Sequence, residues 1–250
     1  MQTSPDFNAA TRPEATRAMP VPTRLVIDAP TRMFHWLFAL SFLGAYLTAD
    51  GERWRLLHVT LGYTLAGLLA FRVLYGLFGP RQVGLGQLWR KLSGAPAWLR
   101  LLVSAPVPGA VNWRQGQNLI MALAVFALLT MVVPLTLSGY GSYNDWGGWL
   151  EDVHEVFGQA FLAVVLGHIA LIAALSLLRR KNQAMPMLTG RVDGPGPSLV
   201  KHNRSLLAAL LLVAVLAFGA WQWQQSPSGL VSAQTWGGLL SGPSAHEDDD

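Results

Sequence analysis

Residues 152–178, DVHEVFGQAFLAVVLGHIALIAALSLL, are the most informative stretch of this chain. The run is long and apolar enough to cross the hydrocarbon core of a membrane as a helix, which takes about 20 residues. It also contains His154 and His168, and a histidine inside a membrane span is costly unless it has a partner. The stretch therefore predicts a membrane helix that carries functional side chains.

The spacing of these two histidines is informative in itself. Fourteen residues separate them, which corresponds to about 21 Å along a helix axis and to nearly four full turns. Both imidazoles therefore project from almost the same helix face. One helix is predicted to serve two sites at different depths of the membrane.

The composition extends this interpretation to the whole chain. Of the 250 residues, 52% are hydrophobic and only 13% are charged, which is too apolar for an ordinary soluble domain. We predict an all-α integral membrane protein, a four-helix bundle followed by a fifth C-terminal transmembrane helix. The predicted spans cover residues 32–48, 56–78, 118–138, 152–178 and 206–223.

The charged residues predict an orientation. Fifteen of the 18 Lys and Arg residues fall on one side of these spans and two on the other, with Arg72 inside the second span. The positive-inside rule then places the N-terminus in the cytoplasm and the C-terminus outside. The net charge of +4 is spread over short blocks between apolar runs, so nucleic-acid binding is not predicted. The absence of cysteine excludes disulfides, cysteine-ligated iron–sulfur clusters and covalently attached c-type haem.

Two further histidines match the pair in the fourth span by depth. His35 lies near the cytoplasmic start of the first span and His58 near the outer start of the second. Depth therefore pairs His58 with His154 and His35 with His168, as two stacked haems would require. Two imidazoles fill both axial positions of a haem iron, which favours electron transfer over catalysis at the iron. The remaining histidines, His202 in a loop and His246 in the tail, are predicted to be solvated or interfacial.

Neighbouring residues fit this hypothesis. Gly62 and Gly158 each follow a histidine by four residues, so that a missing side chain would let a flat macrocycle approach the helix. Haem propionates need cationic partners. Arg72, inside a span, faces a propionate or a quinone, or else snorkels towards the membrane surface. The candidate arginines are Arg32, Arg53, Arg55 and Arg72.

An ordered set of motifs resembles a known family. The motifs are APTRMFHW at 29–36, LHVTLGY at 57–63, FRVLYGLFGPR at 71–81, LSG at 137–139, DVHEVFG at 152–158, GH at 167–168 and MLTGR at 187–191. Over residues 24–191 the chain resembles the bacterial dihaem b-type cytochromes, which include bacterial cytochrome b561 and the cytochrome b subunit of nickel–iron hydrogenases. Formate dehydrogenase gamma subunits are similar in layout. The segment NWRQGQN at 112–118 departs from the Gly-His-Asn-Pro-like segment common in hydrogenase-type members.

The resemblance implies a cofactor set and partners. It makes His35, His58, His154 and His168 the ligands of two non-covalent b haems. It also implies a bacterial inner-membrane location, ubiquinone or menaquinone chemistry at one membrane face, and a redox partner protein or subunit, and it allows a homo-oligomer. The expected domains are a cytoplasmic polar segment at 1–23, the dihaem bundle at 24–191, a linker and fifth helix at 192–224, and a disordered acidic external tail at 225–250.

Three functions remain open on the sequence alone. The first is an electron-transfer protein or subunit between a quinone pool and a redox partner. The second is a stand-alone quinone oxidoreductase, such as a superoxide:quinone oxidoreductase, although Arg53 and Arg55 are outnumbered by acidic residues in the outer loops, which would weaken steering of a small anion. The third is a transporter or assembly anchor without haem, which would be colourless when purified.

Overall fold

The computed structural model describes residues 22–81, 84–104 and 112–225 of the chain. The predicted N-terminal segment and the predicted acidic tail therefore lie almost entirely outside the described residues, as do residues 105–111. The helices are α1 (Ala29–Leu47), α2 (Arg55–Phe78), α3 (Leu85–Ser93), α4 (Ala95–Ser104), α5 (Trp113–Tyr143), α6 (Trp149–Arg179), α7 (Met185–Thr189) and α8 (Ser205–Gln225). A single 3₁₀ turn, Glu52–Trp54, precedes α2, and two short strands are β1 (Thr23–Leu25) and β2 (Arg191–Asp193).

Four helical segments within the described residues are long and apolar enough to cross a membrane. They are Glu52–Phe78, Trp113–Tyr143, Trp149–Arg179 and Ser205–Gln225. The all-α membrane fold predicted from the sequence is therefore confirmed, and these segments match four of the five predicted spans. The remaining predicted span corresponds to helix α1, which has 19 residues and carries Arg32 and His35 in its first two turns.

The helices form a bundle with a shared apolar core. Helix α5 packs on α6 and α1 packs on α2, while α2 and α5 join the two pairs and α8 packs on α1. Each of the first four long helices contributes to a buried cluster, which consists of Phe42, Leu65, Val132, Leu135 and Phe161. Leu65 follows His58 by seven residues and Phe161 follows His154 by seven. The core therefore lies midway between the two depths at which the sequence places histidines.

One end of the bundle is closed by an antiparallel pairing that the sequence did not predict. Strand β1 pairs with β2, and Gly190, which ends α7 with a φ of +77°, accepts hydrogen bonds from Val26 and Ile27 through its carbonyl. Strand β2 crosses the domain boundary predicted at residue 191. The following linker is also fastened to the bundle, since Ala29 N donates to Asn203 O at 3.0 Å. We call this end, where α1, α7 and α8 meet, the His35 end, and the opposite end the His58 end.

The connection between α2 and α5 differs from its prediction. The sequence predicts one interfacial helix over residues 87–103, limited in length by Pro96. The structure instead has two helices, α3 and α4, that meet at Gly94. Pro96 lies in the first turn of α4, where a missing backbone N–H costs nothing. The break therefore precedes the proline.

Candidate functional site

The structure brings His58 and His154 together at the His58 end. Their ring centroids lie 5.8 Å apart and the rings are nearly perpendicular, at 83°. His58 comes from the first turn of α2 and His154 from the second turn of α6. Both side chains are half-buried. The pairing of these two histidines is thus a feature of the folded chain as well as of its sequence.

Each of the two rings bonds to a backbone carbonyl through its Nδ1 atom. The His58 Nδ1 lies 2.8 Å from Ala45 O on α1, and the His154 Nδ1 lies 2.9 Å from Leu135 O on α5. A carbonyl oxygen only accepts, so each Nδ1 carries a hydrogen, and in the neutral imidazole each Nε2 then keeps its lone pair. Histidines that ligate metals are commonly oriented by such a bond from the other ring nitrogen. Both imidazoles therefore have the tautomer of a neutral metal ligand.

Gly139 on α5 fits closely against the His154 ring. A Cβ at this position would lie 2.7 Å from His154 Cε1 and 2.9 Å from Nδ1. Any side chain would therefore displace the imidazole that bonds to Leu135. The sequence holds Gly139 in one of the family-like motifs, but it gives no sign of this contact, because the contact depends on how α5 and α6 are aligned.

Space is present beside both histidines on their own helices. A Cβ added to Gly62 would meet no other atom within 4 Å, and one added to Gly158 would only touch Leu135 at 4.0 Å. The two glycines lie one turn beyond His58 and His154. This arrangement fits the prediction that they make room for a flat group beside the imidazoles.

The second pair lies at the other depth. His35 is in the second turn of α1 and His168 lies just past the middle of α6, and the two are close enough for their charges to interact. Both Nδ1 atoms are buried and lack a hydrogen-bond partner among the described residues. A buried donor without a partner costs about 1–3 kcal/mol. These imidazoles are therefore less firmly held by the protein than His58 and His154.

A buried polar network lies at the His35 end. Asp28 is 0% exposed; it caps α1 by accepting from Thr31 N at 3.2 Å, and it accepts a hydrogen bond from the Tyr75 hydroxyl on α2. Arg204, just before α8, lies close enough to Tyr75 to interact with its hydroxyl. None of the three members of this network is predicted from the sequence, because residues 28, 75 and 204 become neighbours only when α1, α2 and α8 pack.

Arg72 interacts with this network, but the network does not satisfy all of its hydrogen-bond donors. Its guanidinium interacts electrostatically with Asp28 and Tyr75, whereas its Nη1 is buried and has no hydrogen-bond partner among the described residues. Arg72 follows His58 on α2 by fourteen residues, the same interval that separates His154 from His168 on α6. It therefore lies on the His58 face of α2, at about the depth of the second histidine pair.

The other candidate arginines have protein partners or are exposed. Arg32 donates to Leu188 O at 2.8 Å and to Asn203 Oδ1 at 3.4 Å, so it links α1 to α7 and to the linker before α8. Arg55 lies 3.8 Å from Glu52 and over the Tyr143 ring. Arg53 is exposed in the 3₁₀ turn. The proposed contact of these arginines with propionates remains a prediction.

The remaining histidines do not join either pair. His202 is exposed in the linker before α8, and His246 lies outside the described residues. Across residues 22–81, 84–104 and 112–225, no group of three or more His, Asp or Glu side chains is placed to hold a metal ion. Two imidazoles are, however, all that a protein supplies to the iron of a bis-histidine haem.

The fold and the paired imidazoles define a class of protein, the helical membrane proteins with histidine pairs between their helices. A comparison with protein families narrows this class. Residues 26–190, well over half of the chain, match the family of prokaryotic cytochrome b561. The chain belongs to that family, and it is therefore a bacterial membrane protein of b-haem electron transfer. Neither the comparison with curated proteins nor the one with solved structures found a match.

Proposed function

We propose that this protein carries electrons through two bis-histidine b haems, between a quinone pool and a partner redox protein or subunit. The observation that carries the proposal is the placement of four histidines in two pairs at two depths, with α6 contributing to both. His154 and His168 lie about 21 Å apart along that helix. A histidine pair at each depth would provide two redox sites for electron transfer across the membrane.

The histidines have different tasks from the residues around them. When bound, each haem would supply an iron that accepts and releases one electron. His58 and His154 would hold one iron through their Nε2 atoms, because their Nδ1 atoms are bonded to carbonyls. His35 and His168 would hold the other. Gly62 and Gly158 would leave room for the macrocycle at the first pair.

Charged residues would bind the anionic edges of the haems. Arg72 is the best candidate at the His35 end, because it is half-buried and its buried Nη1 has no hydrogen-bond partner among the described residues. Arg32 lies near the same end but is already bonded to two acceptors. Arg53 and Arg55 would serve the pair at the His58 end. We place the His35 end in the cytoplasm, on the strength of the charge distribution, and the C-terminal tail in the periplasm.

The apolar core would separate the two haems from water. Phe161 is 1% exposed and packs against Phe42, with ring centroids 4.5 Å apart, and Val132 is fully buried beside them. These side chains fill the bundle between the two histidine levels. They exclude water and ions from the interval that the electrons cross.

Electron transfer across a closed membrane tests this proposal. The haem-loaded protein is reconstituted in liposomes that contain ferricyanide, and a membrane-impermeant reductant is added outside. We expect the trapped acceptor to be reduced faster than in protein-free liposomes, and His58→Ala and His168→Ala each to abolish the gain. His202→Ala is the matched control, because this histidine is exposed in a loop. A wild-type rate in either ligand variant would contradict the proposal.

The use of quinone is tested separately, on the purified haem-loaded protein. A water-soluble ubiquinol or menaquinol analogue is added to the oxidised protein in detergent, and the haem absorbance is followed. We expect the analogue to reduce the haems. Reduction by dithionite but by neither quinol would remove the quinone pool from the proposal while leaving the haem path intact.

A further inference from the structure

A cleft of about 390 Å³ lies between α3 and the start of α5. It is separate from both histidine pairs. Polar and cationic side chains line most of it, and they are Arg90, Lys91, Asn112, Arg114, Gln115 and Asn118. No carboxylate is among its lining residues. The cleft is thus suited to an anion.

The three cations of the cleft come from two elements, and none of them forms an ion pair with another described residue. Arg90 and Lys91 lie in the last turn of α3, and Arg114 lies in the first turn of α5. Within the part of the chain that the structure describes, the one ion pair is that of Arg55 with Glu52. The positive end of the α5 dipole adds to the same field, although the Asn112 side chain caps one of its N–H groups. The charge in the cleft is therefore available to a ligand.

The walls of the cleft are held by packing. The Trp98 indole of α4 donates to Asn112 O at 3.1 Å and lies against Gly116 of α5. Leu85 of α3 lies against Gly76 of α2. These contacts fix α3 and α4 against the bundle, so that the cations stay grouped around one opening.

The cleft lies at the level where the membrane span of α5 begins. Trp113, 54% exposed, starts this helix, and the apolar sequence of α5 follows within two turns. Helix α3 is short and amphipathic, and its Trp89 is 69% exposed, as expected for a helix that lies in the headgroup region. The anions that are concentrated at this depth are the phosphates of lipids.

We propose that this cleft binds the phosphate of an anionic glycerophospholipid headgroup, with Arg90, Lys91 and Arg114 as its cationic ligands. Basic pockets beside membrane helices bind such headgroups in other proteins. The bound lipid would join α3 to α5. The proposal requires only that the chain spans a membrane, so it stands independently of the haems.

Native mass spectrometry of the full-length protein in detergent tests this site. The protein is titrated with phosphatidylglycerol or with phosphatidylcholine, and the bound fraction gives each dissociation constant. We expect phosphatidylglycerol to bind at least about tenfold more tightly, since each basic residue near a membrane surface contributes measurably to anion binding. The variant Arg90→Gln/Lys91→Gln/Arg114→Gln should lose this preference.

A matched control variant removes the same number of positive charges from outside the cleft. Arg100→Gln/Arg180→Gln/Lys181→Gln alters three exposed residues outside the cleft and should keep the preference. Equal losses in both variants would overturn the proposal in favour of unspecific charge attraction. Displacement of the lipid by excess inorganic phosphate would overturn the lipid assignment in favour of a free-anion site. Arg114→Gln alone, with a few-fold loss expected, provides the test if the triple variant does not fold.

Discussion

The two histidine pairs differ in how the protein holds them. At the His58 end, each Nδ1 bonds to a carbonyl of a neighbouring helix, Ala45 for His58 and Leu135 for His154. At the His35 end, neither Nδ1 has a partner among the described residues. The first pair is therefore oriented by the backbone, whereas the second pair depends on packing and on what binds there. His154 and His168, fourteen positions apart on α6, are therefore held in two different ways.

The arginines near the two histidine pairs also differ in how they are placed. Arg53 and Arg55 at the His58 end lie in or next to an exposed turn. Arg72 at the His35 end is half-buried with a buried Nη1, and its guanidinium interacts with the Asp28–Tyr75 network. The pair whose imidazoles bond to carbonyls thus has exposed cations nearby, and the pair whose Nδ1 atoms lack partners among the described residues has a half-buried one with a buried nitrogen. This comparison predicts that substitutions will affect the two levels separately.

The largest expected effect is that of Gly139→Ala. The added Cβ would lie 2.7 Å from the His154 ring, so the ring must move and weaken its bond to Leu135. We expect about half of the haem to be lost, from the His58 end alone, as measured by haem content per chain. Gly67→Ala on α2 is the control, because a Cβ there meets nothing within 4 Å. Full haem content in Gly139→Ala would show that the orientation of His154 is not needed.

A graded substitution at Gly62 tests the space beside His58. A Cβ fits there without contact, so Gly62→Ala should retain most of the haem. Gly62→Phe should fill the space and lower the haem content at the His58 end. Gly67→Phe adds the same ring to an exposed position of the same helix and should have no effect. Equal haem in both phenylalanine variants would remove Gly62 from the site.

Tyr75→Phe addresses the His35 end. The hydroxyl donates to the buried Asp28 carboxylate, and a hydrogen bond to a charged group contributes about 1.5–3 kcal/mol. We expect a loss of this size in the free energy of unfolding, measured by denaturant titration in detergent. Tyr63→Phe is the control, because the Tyr63 hydroxyl has no hydrogen bond in the described part of the chain. Equal stability of Tyr75→Phe and wild type would contradict the role of the network.

The smallest expected effect is that of Arg55→Gln. Its ion pair with Glu52 is solvated, with side chains 56% and 90% exposed, and such pairs contribute about 0–1 kcal/mol. If Arg55 faces a propionate, loss of its charge should lower the midpoint potential at the His58 end by tens of millivolts at most. A redox titration measures this shift. A larger change in the midpoint potential at the His35 end would contradict the assignment of Arg55 to the His58 end.

The features that the sequence predicted are local ones. Span length and apolarity need only neighbouring residues, and the fourteen-residue interval between His154 and His168 follows from helix geometry. The pairing of His58 with His154 was also predictable, because it requires only the depths of two residues. The family match and the membrane-spanning helices confirm the predicted family and fold class.

The features that the sequence did not predict depend on contacts between distant segments. The close approach of Gly139 to His154 requires the alignment of α5 with α6. Asp28 and Tyr75 are 47 residues apart, and strands β1 and β2 are separated by nearly the whole bundle. None of these contacts leaves a periodic signal, so none could be found before the helices were packed together.

Haem quantitation per chain, with a reduced-minus-oxidised spectrum, tests the central claim most directly. We predict two b haems in the wild type, and one each in His58→Ala and His168→Ala, because each variant removes a ligand from a different pair. The haem that remains should differ in spectrum or potential between the two variants. A wild-type protein with no haem, or with a single haem, would contradict the account.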